Sequence, residues 1–141
     1  MATATMTTRT SNSIYTRLIV LISGIFYALT GLALLFLPTW FYTNVGTFPP
    51  FNRHYTGDVG AFALPLGIGM MLAWRDPRQH RLVIGVAAGV SVVHALNHLY
   101  DDFFGSGQFA FHLSITTISL IILAIFVVAA AVESYANRSR P

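Results

Sequence analysis

The chain has 141 residues, 55% of them hydrophobic and only 9% charged, against about 25% charged residues in an ordinary soluble domain. So few charges cannot cover a water-facing surface, and the composition points to lipid as the solvent. Cysteine is absent, which excludes disulfides and thiolate metal centres, and the net charge of +3 rests on arginines alone, scattered without the basic clusters that bind nucleic acid.

Residues 1–13 are rich in Thr, Ser and Ala and carry one charge, Arg9, which reads as a disordered tail. An apolar run from about residue 15 to 37 follows, broken only by Arg17. At about 1.5 Å per residue it is long enough for the ~30 Å hydrocarbon core of a bilayer. It exceeds the roughly 7–15 apolar residues of a signal peptide and is followed by no small-residue cleavage site, so an uncleaved membrane helix is expected. Pro38 ends it, and residues 38–55 read as an interfacial loop rich in aromatics and proline.

The second helix is expected over residues 57–74, with Thr56 as N-cap and Asp58 in the first turn, where the helix dipole favours an anion. Pro65 lies inside it and predicts a kink. A polar hairpin, Arg75 to Arg81, leads to a third helix over residues 82–100, where Gly85 and Gly89 form a small-xxx-small pair suited to close helix contact. Gly105-Ser106-Gly107 marks a turn. The fourth helix covers about 112–132, and residues 134–141 form a polar tail. Four spans with short connections predict an all-α, four-transmembrane-helix bundle running up-down-up-down.

Arginine placement predicts its orientation. Arg9, Arg17, Arg75, Arg78, Arg81, Arg138 and Arg140 fall on the side of the two termini and Arg53 alone on the other. The positive-inside rule then makes both termini cytoplasmic. The multi-pass protein would sit in a bacterial plasma (inner) membrane.

The third helix ends in the main chemical signal, the stretch Ser91 to Asp102. Spacings of three, four and seven put His94, His98, Asp101 and Asp102 roughly on one face. Ionisable groups inside a membrane helix are costly and normally face the bundle interior with a partner. Asp58, from the second helix, and His112, opening the fourth, fall at the same end. The candidate ligand-binding set is therefore Asp58, His94, Asn97, His98, Asp101, Asp102 and His112. His94, His98, Asp58 and His112 could hold a divalent metal ion, since two histidines four apart reach one ion and carboxylates complete many such sites. Haem ligation would need facing histidines, His94 or His98 with His112. Asp101 and Asp102 at a helix C-terminus and His112 at an N-terminus each oppose the dipole, and would correct one another if paired across the turn. The competing reading of every one of these residues is structural: inter-helix hydrogen bonds, a helix cap at Asp58, and an interfacial belt for the aromatics, which could otherwise line a slot for a lipid or quinone-type ligand.

The segments Asn52-Arg53-His54-Tyr55-Thr56-Gly57-Asp58-Val59-Gly60-Ala61 and His94-Ala95-Leu96-Asn97-His98-Leu99-Tyr100-Asp101 resemble a pattern in small bacterial four-helix membrane proteins similar to the DoxX-like group. The resemblance implies a four-helix integral membrane protein and carries no reaction. Three functions stay open. One is an outward-facing site for a metal ion or a small lipid-phase ligand. Another is an accessory subunit of a membrane complex, or a homo-oligomer, with the polar stripe as its internal lock. The third is an enzyme on a lipid-phase substrate using a histidine–aspartate pair, although no catalytic motif singles out a catalytic residue. The bilayer is the one partner all three require.

Overall fold

The computed structural model describes residues 13–47, 49–105 and 113–136. Five helices follow one another: α1 (Ile14–Phe36), α2 (Pro38–Asn44), α3 (Arg53–Ala73), α4 (Arg81–Phe104) and α5 (Ile115–Ala136). The architecture is all-α. Four of the helices, α1, α3, α4 and α5, are long and apolar enough to cross a membrane. They alternate in direction, α1 packing mainly on α3 and α4 mainly on α5, with α1–α5 and α3–α4 contacts closing the ring. We call the end holding the start of α1, the end of α5 and the α3–α4 loop the near end, and the opposite end the far end.

Several helix bounds differ from those the sequence predicts. Residues 38–44 are helical rather than loop. Leu37 leaves the helical region at φ −128°, ψ 45°, as the residue before a proline is pushed to do. Pro38 then opens α2 from the first helical position, where its missing N–H costs nothing. Helix α3 starts four residues earlier than expected. Asn52 caps it, its side chain accepting from the His54 and Tyr55 N–H groups at 2.9 and 3.3 Å. Thr56 is therefore not the cap; its hydroxyl donates back to the Asn52 carbonyl at 2.9 Å. Asp58 accordingly lies beyond the first turn. Helix α4 runs through Asp101 and Asp102 to Phe104, and α5 runs past Val132 through Glu133 to Ala136, taking in the first residues of the expected tail. His112 lies outside the described residues.

Lipid-facing surface is abundant. Phe36, Phe62, Leu72, Leu82 and Ile115 are each more than 70% exposed, which in water would be a liability and in hydrocarbon is the ordinary surface of a span. Lipid removes most of the hydrophobic drive for helix–helix association, so contact quality decides the packing. The tightest contact is a glycine seam. Gly24 and Gly31 of α1 meet Gly67 and Gly60 of α3. A methyl group on Gly67 would stand 2.3 Å from the Ala28 nitrogen, and one on Gly31 would stand 2.5 Å from the Leu64 nitrogen. Backbone meets backbone there. The predicted pair Gly85 and Gly89 serves differently: Gly85 faces the Tyr135 hydroxyl, 3.1 Å from where its methyl would lie, and Gly89 faces open space.

The core is uneven. Val20 and Tyr27 of α1, Met70 and Ala73 of α3, Ile84, Ala87 and Ala88 of α4, and Val127, Ala130 and Ala131 of α5 form one buried cluster joining all four spans in the near half. Farther along, a smaller cluster of Ala95, Leu120 and Ala124 joins only α4 and α5. The far half of α4 therefore carries its polar stripe where the four-helix core has ended.

Candidate functional site

At about 100° per residue, the stretch 91–102 divides into an inward row, Ser91–His98–Asp102, a flanking row, His94–Asp101, and Asn97 farther round. Burial follows that division: Ser91 is buried, His94, His98, Asp101 and Asp102 are half-buried, and Asn97 is exposed. Because α4 continues to Phe104, His94 lies about 15 Å and His98 about 9 Å from its far end, deeper than a helix ending at residue 100 implies.

Most polar groups along the bundle are occupied by protein. The Ser91 hydroxyl donates to the Ala87 carbonyl at 2.7 Å. Its oxygen lies 2.6 Å from the Tyr27 hydroxyl, which must then be the donor across from α1. Asp102 reaches over the α4–α5 connection to accept the Ser114 N–H at 2.7 Å, while Ser114 Oγ accepts the Thr117 N–H at 3.2 Å. A carboxylate at the C-terminus of one helix thus neutralises the exposed N–H groups at the start of the next, and a placement unfavourable for α4 alone becomes favourable for the pair. The partner across the turn is the start of α5; His112, the partner expected from sequence, lies outside the described residues.

The near end repeats the device. Glu133 of α5 accepts the Ser13 N–H at 2.8 Å and the Ser13 hydroxyl at 2.9 Å, and it also accepts the Thr16 hydroxyl. Ser13 Oγ in turn accepts the Thr16 N–H at 3.2 Å. Ser13-Ile-Tyr-Thr16 and Ser114-Ile-Thr-Thr117 are the same Ser-x-x-Thr signal opening two apolar runs. That repeated N-cap signal is the sequence feature that could have pointed to both locks.

Asp58 joins neither lock. Its carboxylate lies 3.5 Å from His54 Nε2 at the exposed start of α3, with side chains 55% and 81% exposed. Asn97 donates to Asp101 at 3.4 Å on the exposed side. Among the described residues no three His, Asp or Glu side chains gather where they could hold a metal ion. Of the predicted four-member set, Asp58 pairs with His54 instead, His94 and His98 stand together, and His112 lies outside the described residues. Haem ligation of the expected kind needs a histidine facing this pair, and the candidate, His112, lies outside the described residues.

His94 and His98 remain. Their rings lie 4.9 Å apart at 42°, half-buried, without a hydrogen bond to any described residue. Each imidazole offers a donor and an acceptor. Two together at this depth present up to four hydrogen-bonding positions to whatever enters from the far half. No protein-family model, no curated protein and no solved structure matches the chain.

Proposed function

We propose that the chain is a multi-pass membrane protein that binds a small lipid-phase ligand with a polar head, a quinone or a hydroxylated lipid by class, at His94 and His98. The observation that carries this reading is the contrast along α4. Tyr27, Ser91, Asp102 and Glu133 have protein partners, whereas two adjacent imidazoles, half-buried like Asp102 and Glu133, have one another. Ionisable side chains within a span normally have partners, and a ligand head supplies them. In this reading the far end faces outward, both termini are cytoplasmic, and the host membrane is bacterial. The one-sided arginines and the resemblance to DoxX-like proteins support those points.

A second reading is a divalent metal, because histidines at i and i+4 can grip one ion from one helix. Two imidazoles make half a tetrahedral site, so the remaining ligands would come from His112, solvent or another chain.

One preparation tests both readings. The protein is extracted in mild detergent, and copurifying small molecules and metals are measured for the wild type, His94→Ala and His98→Ala. The first reading expects a lipid-phase compound near one per chain in the wild type and its loss in both variants. Stoichiometric metal lost in the variants would support the second reading instead. Equal retention of every species by all three proteins would overturn both.

A further inference from the structure

The glycine seam does not stop at its glycines. On α1, Arg17, Gly24 and Gly31 are seven residues apart and share one stripe; on α3 and its C-cap, so do Gly60, Gly67 and Trp74. The helices run antiparallel, with Gly31 against Gly60 and Gly24 against Gly67. One more step of the same register brings Arg17 level with Trp74 at the near end. Arg75 lies there too, its guanidinium carbon 5.5 Å from the centre of the Trp74 ring.

Arg17 is half-buried, and its Nε is a buried nitrogen without a hydrogen-bond partner among the described residues. Arginine cannot shed its proton, so a buried guanidinium N–H that lacks an acceptor costs desolvation with no return. The acids of this end are engaged elsewhere. Glu133 takes Ser13 and Thr16. Asp76 accepts the Gln79 N–H at 3.3 Å and has a further partner. Neither Arg17 nor Arg75 has a carboxylate within ion-pair distance among the described residues.

The level of the site decides the anion. Arg17 is the fourth residue of its span, and Trp74, level with it by the register of the seam, marks the headgroup layer, where tryptophan concentrates. Guanidinium forks match the oxygens of a phosphate diester. We propose that Arg17 and Arg75, brought to Trp74 by the seam, hold the phosphate of an anionic phospholipid headgroup. The site is independent of the histidine pair, which lies in the opposite half of the bundle.

The test is the thermal unfolding of the purified full chain in a neutral detergent with phosphatidylglycerol, phosphatidylcholine or inorganic phosphate added. The expected result is a rise of several degrees with phosphatidylglycerol and none with the other two. That rise should be lost in Arg17→Gln and Arg75→Gln and kept in Arg53→Gln at the far end. A rise preserved in the Arg17 and Arg75 variants, or equalled by phosphatidylcholine, would overturn the site. A rise with inorganic phosphate alone would overturn its assignment to lipid. Should Arg17→Gln fail to fold, the exposed Arg75→Gln decides. A purely structural Arg17 that capped α3 would lower stability equally in every additive and leave the rise intact, which also overturns the proposal.

Discussion

Replacing Gly67 by alanine probes the packing of the bundle at its tightest point. The new methyl would lie 2.3 Å from the Ala28 nitrogen, 2.7 Å from the Gly24 oxygen and 2.8 Å from the Ala28 Cα. All three are backbone atoms, so no rotamer change relieves the clash. Restoring ordinary contact at about 3.5 Å requires α1 and α3 to separate by roughly 1 Å. A radial gap of that size forfeits up to about half of each dispersion contact along the seam. Overpacking costs about 1–3 kcal/mol, and immovable partners place this site at the upper limit. Alanine returns up to about 1 kcal/mol through its higher helix propensity. The expected net loss is about 2 kcal/mol, or roughly a thirtyfold shift toward the unfolded form. Titration of the folded protein with a denaturing detergent, followed by circular dichroism or tryptophan fluorescence, reads that shift. Gly89→Ala, whose methyl meets nothing within 4 Å, is the internal control and should be neutral or slightly stabilising. The reasoning is refuted if Gly67→Ala unfolds with the wild type, or if Gly89→Ala is as damaging.

The polar locks make three further predictions. Asp102→Ala should cost about 1–3 kcal/mol, the usual penalty for stranding a hydrogen-bonding partner. Asp102→Asn, which keeps an acceptor for the Ser114 N–H, should cost less; thermal unfolding ranks the two. Glu133→Ala removes the acceptor of the Ser13 N–H and of two hydroxyls, so hydrogen exchange should accelerate in the first turn of α1 well before the middle of the helix responds. The Tyr27–Ser91 pair should be asymmetric. Tyr27→Phe leaves the Ser91 hydroxyl donating to Ala87 and should cost about 0.6 kcal/mol, typical of membrane inter-helix bonds. Ser91→Ala strands a buried phenol and should cost more, as the same denaturing-detergent titration would show.

The four spans were readable because nothing but a bilayer fits runs so long and so apolar. Errors gathered where a single side chain decides a boundary. Asn52 rather than Thr56 caps α3, and since both are good caps the sequence alone does not choose between them. Asp101 and Asp102 fell just past the expected end of the third helix, ahead of the Gly105-Ser106-Gly107 turn signal; in α4 the dipole's cost to Asp102 is offset by its bond to the Ser114 N–H at the start of α5. The glycine seam was hidden for a related reason. Gly24, Gly31, Gly60 and Gly67 recur at seven residues, and without knowing that α1 and α3 are partners the four-residue pair Gly85 and Gly89 is the more familiar signal. The candidate site was legible in part. His94 and His98 do share a half-buried face, but Asp58 and Asn97 are exposed, and depth along a helix does not reveal which neighbours converge. On the inward row Ser91 and Asp102 are taken up by hydrogen bonds to neighbouring helices, and His98, with His94 beside it, is what they leave.

The central claim is that His94 and His98 are completed by a lipid-phase ligand rather than by the protein. Nitrogen NMR of labelled histidine in bilayers measures imidazole hydrogen bonding directly. We predict that stripping copurified lipid moves the His94 and His98 signals, and that returning the native lipid extract restores them while His54 and His80 stay fixed. Signals from His94 and His98 that ignore both treatments, or that move only in step with every other histidine, would contradict the account.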